Sequence, residues 1–145
     1  MNSLGLRKTK VQLENTSRNG VTGAGIKVLI DGMEEERFDI KEHQHEMHHH
    51  SSLGDIQKLI SELDLSDKVK KDAINVYNLI AEAEGHVHGR EVNDIHFHEV
   101  GTLDAVADVV GVCLLMEMIS PDKIMASPVN VGGGMVECAH GILPV

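Results

Sequence analysis

Ten histidines stand in this chain of 145 residues, and several fall at spacings that suit a borderline transition metal. In Asp94-Ile95-His96-Phe97-His98-Glu99, an extended backbone would set His96 and His98 side by side on one face. Ile95 and Phe97, with Glu99 beyond them, would take the other face. Two imidazoles so placed can share one metal ion while Phe97 anchors the strand in the core. Without a metal, the same pair reads as two surface histidines on an edge strand.

The run Gly101–Met116 that follows is apolar nearly all round, the mark of a buried helix, yet it carries Asp104 and Asp108 four residues apart on one face. A buried carboxylate needs a partner, because low-dielectric surroundings disfavour its charged form. Asp104 is explained by the positive end of the helix dipole. Asp108 requires a backbone N–H, a lysine, or a histidine of the preceding strand that it holds in place for a metal. Further on, Gly132-Gly133-Gly134 would let a ligand approach the backbone, or would simply form a pliable loop. Cys138 and His140 join a soft thiolate to an imidazole, a donor set for nickel, copper or zinc, although a lone Cys-x-His is commonly coincidental. His86-x-His88 is a further pair that loop polarity explains equally well. The segment Lys41–Ser52 holds His43, His45, His48, His49 and His50 with Glu42 and Glu46. Such a tract binds divalent nickel or zinc through interchangeable geometries and offers capacity rather than one defined site. Met47–Ser52 looks like an expression-tag scar, but its internal position argues against that origin.

Composition narrows the partners. With 13 basic and 23 acidic side chains the formal charge is −10, which repels phosphate backbones, and three aromatic residues furnish no base-stacking platform. Nucleic acid is therefore not an expected partner, whereas cations are. No run approaches the roughly 20 apolar residues of a membrane span and no secretory h-region opens the chain, so a cytoplasmic protein is expected. Cys113 and Cys138 are too few for a disulfide scaffold, and Cys113 lies in an apolar run where a buried thiol is expected. An apolar content of 41% supports a real core, and an aromatic content of 2% makes it aliphatic.

These groups need elements to position them. Alternation over Lys8–Asn15 and the β-branched run Gly25–Ile30 predict a β-hairpin with Asn19-Gly20 at its tip, and Glu34–Ile40 could add a short third strand. Helices are expected over Asp55–Leu63, capped by Ser51 or Ser52, and over Lys68–Glu84, capped by Ser66 or Asp67 and closed by Gly85. Apolar residues at spacings of three and four give the second helix one buried face. Val92–Val100 reads as a strand, Leu103–Ile119 as a long buried helix, and Lys123–Val131 as a β-branched segment broken by Pro128. The expectation is an α+β (or α/β) fold: a mixed sheet with an N-terminal hairpin, packed by an amphipathic helix and one long buried helix. It divides into a β-rich lobe (1–40), a histidine-rich loop (41–54) and a core carrying the metal-site candidates (55–145).

The run VNDIHFHEVGTLDAVADVVGVCLLMEMI, followed by ASPVNVGGGMVECAHGILPV, resembles the nickel-insertion proteins of nickel-pincer nucleotide cofactor biosynthesis, the LarC family. The stretch from about Leu4 to Gly25, and the histidine-rich insert before Leu53-Gly54-Asp55-Ile56, are similar to it as well, so the likeness covers essentially the whole chain. It implies an insertase, of the lyase class, that places nickel into a pyridinium bis-thiocarboxylate mononucleotide. A metal–carbon bond forms and CTP is consumed with a divalent cation, giving the cofactor of lactate racemase. Full members begin earlier, with a Ser-Gly-x-Ser-Gly-Asp-Met segment, and continue into a nucleotide-associated domain. This chain is thus expected to be an interior piece that does not catalyse the whole reaction alone.

Residue chemistry and resemblance meet at nitrogen and sulfur ligands gathered for nickel. His96, His98, Cys138 and His140 are the expected metal contacts, with Glu99, Asp104 and Asp108 as oxygen ligands, bases or carboxylates that orient the ligands. Asp104 or Glu99 could accept the ring proton displaced by nickel. Gly132, Gly133 and Gly134 would face the nucleotide, and the histidines of residues 43–50 would deliver or buffer nickel. A lactate racemase-type apoenzyme and a second copy of the chain are the remaining expected partners. Two other readings stand beside this one: a non-catalytic nickel-storage module, and a metal-dependent hydrolase using His96, His98, Asp104 and Asp108.

Overall fold

The computed structural model describes residues 4–6, 8–34, 51–97, 99–138 and 141–145. Two turns order its N-terminal part. Strands β1 (Thr9–Arg18) and β2 (Val21–Ile30) pair antiparallel in unbroken register, from Thr9 opposite Ile30 to Arg18 opposite Val21. Between them Asn19 and Gly20 both take positive φ, 51° and 82°. That geometry matches the strand twist, and Asn-Gly reaches it at least steric cost. Asp31 and Gly32 repeat it with φ of 50° and 86°, leading into β3 (Met33–Glu34), which pairs with the end of β2. The hairpin is as expected. The third strand starts at Met33, and residues 35–40 lie outside the described residues. Most of the far half of the hairpin is solvent-exposed, while Val28 at its base packs on the main core.

Two capped helices form the centre. Helix α1 (Leu53–Glu62) begins at Ser52, whose hydroxyl accepts from the Asp55 N–H while Asp55 accepts from the Ser52 N–H, a reciprocal capping box. Helix α2 (Asp67–His88) begins at Ser66, which accepts from the Val69 N–H and donates at 2.6 Å to Glu117. Its buried residues Val69, Ala73, Tyr77, Ala81 and Gly85 recur every four positions, one stripe of an amphipathic helix. The helix does not stop at Gly85. It runs to His88 and closes at Gly89, whose φ is 62°. Gly85 serves close approach instead: a Cβ there would lie 2.9 Å from the Arg90 carbonyl oxygen, where the chain folds back.

The expected strand Val92–Val100 is largely absent. Val92–Asp94 and Glu99–Gly101 form single 3-10 turns, and among the described residues the paired strand is β5 (His96–Phe97). It pairs antiparallel with β4 (Ser51–Ser52), Ser51 opposite Phe97 and Ser52 opposite His96. Helix α3 (Leu103–Ile119) buries Val106, Ala107, Val110 and Cys113 but exposes Val112, Leu115, Met116, Met118 and Ile119. It is therefore not buried all round: one side packs on α2 and the base of the hairpin, and the other faces solvent. Burial pushes the Cys113 thiol up, keeping it protonated.

Lys123–Val131 forms no strand, and residues 121–134 run exposed and irregular. A hairpin that the residue pattern did not announce follows: β6 (Met135–Cys138) pairs with β7 (Gly141–Pro144). Among the described residues the strands make three separate antiparallel sheets rather than one mixed sheet. The architecture is α+β, without the parallel crossovers of an α/β domain.

Gly101 meets the ladder at close range, since a Cβ there would sit 2.8 Å from Phe97 Cβ and 3.3 Å from Ser51 Cβ. Gly101→Ala is expected to lower stability by about 1–3 kcal/mol through overpacking. Urea unfolding checks this, and an unchanged midpoint would contradict the close docking.

Candidate metal centre

The histidine-bearing strand is placed by one buried aromatic residue. Tyr77 is 0% exposed. Its ring packs against Phe97 with centroids 5.9 Å apart, and its hydroxyl donates at 3.1 Å to the Val100 carbonyl oxygen. A ring contact at 97 and a hydrogen bond at 100 together pin the segment that leads into α3. Ile95 and Phe97 are buried and His96 between them is exposed. The expected alternation thus holds at the three positions that can be compared. His98 lies outside the described residues, as do His43, His45, His48, His49, His50 and His140.

A carboxylate is bonded to the residue opposite His96: that of Asp55, which the reading of the sequence did not single out. Asp55 Oδ2 accepts from the Ser52 hydroxyl at 2.6 Å and from the Ser52 N–H at 3.1 Å, and Ser52 is the residue opposite His96. Those two bonds, chiefly the hydroxyl, hold the Asp55 carboxyl below the usual carboxylate range, with smaller contributions from Lys58 and His96. The signal for Asp55 was present as Ser-x-x-Asp before an apolar helix, a capping box.

Asp104 is half-buried in the first turn of α3, where it accepts from the Thr102 hydroxyl and, at 2.7 Å, from the Ala105 N–H. Its position is that of a helix-start acid. Asp108 is exposed rather than buried, so the need for a buried partner lapses. Partial desolvation, and then the negative charge of Asp104 one turn away, still raise its carboxyl above the ordinary value. Burial, followed by the charges of Asp104 and Asp108, pushes the Tyr77 phenol far up, so its hydroxyl remains a donor. Glu99 lies in the 3-10 turn between β5 and α3.

The other candidates stand apart. His86 and His88 belong to the last turn of α2, roughly 200° apart around the helix axis, and so do not share an ion. His88 Nε2 lies 3.1 Å from Glu84. Gly132, Gly133 and Gly134 form an open loop in which an added Cβ would meet nothing within 4 Å. The Gly132 N–H there already donates to Asn130. Cys138 ends β6, opposite Gly141, on a hairpin whose main contacts are internal. Among the described residues no three His, Cys, Asp or Glu side chains gather around a common point.

Two consequences are measurable. Tyr77→Phe removes the hydrogen bond to the Val100 carbonyl and is expected to lower stability by about 1 kcal/mol, read by chemical denaturation. Because the Asp108 carboxyl is raised in the folded chain, folding favours its protonated form. Its ionised form then costs stability above the folded pKa, and that cost disappears below the ordinary value of 3.8. Asp108→Asn is therefore expected to stabilise the chain at neutral pH by only about 0.3 kcal/mol, since solvent screens an exposed group. At about pH 3 the same substitution should have no effect on the urea midpoint.

Comparison with known proteins follows the same chemistry. The family described as "Nickel insertion protein" matches residues 1–145. A pyridinium-3,5-bisthiocarboxylic acid mononucleotide nickel insertion protein of Clostridium acetobutylicum is 39% identical across 94% of this chain and 37% of its own length. Proteins of the same name from Clostridium kluyveri and Akkermansia muciniphila are 42% and 39% identical, each across 94% of this chain and across 34% and 32% of their own lengths. The chain thus spans about a third of the length of the curated relatives it matches. No solved structure matches it. Matched from first residue to last, the chain belongs to the nickel insertion protein family.

Proposed function

We propose that this chain binds nickel and takes part in its insertion into pyridinium-3,5-bisthiocarboxylic acid mononucleotide, the molecule in the names of its relatives. The observation that carries this reading is the β4–β5 ladder. Ser51, the residue that follows the histidine-rich segment, pairs with Phe97, the residue between His96 and His98. Nickel collected by His43, His45, His48, His49 and His50 would then pass to a second set of imidazoles. His96 and His98 then hold the ion, and Cys138 with His140 offers a thiolate and an imidazole from a separate element. Imidazole and thiolate donors suit nickel, and an incomplete shell leaves coordination positions for the incoming mononucleotide.

In the insertion itself a nickel–carbon bond forms as the ring carbon loses its proton. Glu99 or Asp104 is the proposed acceptor of that proton, with Asp108 keeping the local field negative for a cation. Gly132, Gly133 and Gly134 would border the mononucleotide. Consumption of CTP with a divalent cation, assignment to the lyases, a cytoplasmic location, delivery to a lactate racemase-type apoenzyme and self-association belong to the same proposal. No helix of the described residues is long and apolar enough to cross a membrane.

One observation favours a second reading, a nickel store: five of the eight residues 43–50 are histidines. Calorimetric titration with nickel separates the two. Replacing the five histidines of 43–50 with alanine should remove most of the stoichiometry and leave one tight site. Adding His96→Ala and His98→Ala should weaken that site by at least about tenfold. Loss of all binding with the five loop substitutions would support the store and contradict the insertase reading.

A further inference from the structure

We propose that Asp55 is the positioning residue for His96, holding its imidazole across the β4–β5 ladder in the orientation that receives nickel. The inference rests on the reading of His96 as a nickel ligand. Two observations carry it. The register sets Ser52 directly opposite His96, so the start of α1 and the exposed face of β5 adjoin. The capping box then fixes the carboxylate: both Ser52 bonds end on Asp55 Oδ2, which leaves Oδ1 clear of those two bonds.

A ligating imidazole uses one nitrogen for the metal and is oriented by a carboxylate or carbonyl that accepts from the other. On α3, Asp104 is engaged with Thr102 and the Ala105 N–H, and Asp108 lies a turn further along the helix. Asp55 is the described carboxylate that the ladder itself brings to His96. It has no role in touching nickel or the mononucleotide. Its effect passes through His96.

The test uses the full chain carrying alanine at the five histidines of 43–50, with nickel as the probe. Asp55→Asn keeps an oxygen that can accept from Ser52 but removes the charge, and should weaken nickel binding about fivefold to tenfold, the low end for such partners because the pair is exposed. Asp55→Glu keeps both charge and capping box and should stay within about twofold of the parent chain. Ser52→Ala, which breaks the cap, should lower the melting temperature more than it changes nickel affinity. In a chain that already carries His96→Ala, Asp55→Asn should have no further effect. The ring 15N signals of His96 in the metal-free chain should shift on Asp55→Asn, with unchanged helicity. Nickel affinity that depends on His96 but is indifferent to Asp55, or that falls equally with and without His96, overturns the positioning role alone. Nickel affinity indifferent to His96 overturns the functional reading and this inference with it.

Discussion

The Tyr77 hydroxyl fixes how the histidine-bearing strand meets α3. In a core of apolar side chains, one phenol must find an acceptor, and it finds the Val100 carbonyl at 3.1 Å. That bond forces the backbone to turn just after β5, and the ring contact with Phe97 fixes the residue before the turn. Gly101 then has to pass so close to Phe97 and Ser51 that a side chain would collide. The start of α3, the pairing of β4 with β5 and the outward face of His96 all follow from this short stretch. Burial, supported by the negative charges on α3, keeps the phenol protonated and the bond intact over the ordinary pH range.

Local chemistry was legible in the sequence wherever one residue type has one use. Asn19-Gly20 can hardly be other than a tight hairpin turn, and Ser52 and Ser66 are helix caps because their hydroxyls satisfy N–H groups that lack a helical partner. The alternation of Ile95, His96 and Phe97 was also visible. The reading went astray where tertiary contacts decide. Gly85 looks like a terminator, yet it is a helix residue whose missing Cβ admits the Arg90 carbonyl. Val92–Val100 has the composition of a strand, but Val92–Asp94 and Glu99–Gly101 turn as 3-10 helices, and the Tyr77 bond to Val100 holds the second of these turns. The apolar run of α3 implied burial on every side, whereas a helix that packs on one neighbour shows its opposite face to water. Asp108 was credited with a buried partner for the same reason. Asp55 was passed over because a capping acid is usually explained by its helix alone.

On the proposed reading, the metal ligands are divided among elements that differ in how firmly they are held. His96 stands on a ladder locked to the core through Phe97, while Cys138 stands on a hairpin bound mainly to itself. That division suits a protein that must give nickel away. A closed four-ligand cage retains its ion, whereas separate donor pairs can yield it stepwise to an incoming ligand. The surplus of acidic over basic side chains adds a field that gathers cations around the whole chain.

Residue-resolved NMR during a nickel titration locates the first equivalent of bound nickel. With the five histidines of 43–50 replaced by alanine, paramagnetic nickel held by the β4–β5 platform should broaden the amide signals of Asp55, His96, Phe97 and Thr102 before any others, up to one equivalent. Broadening confined to residues 135–145, or none at that stoichiometry, would contradict the account.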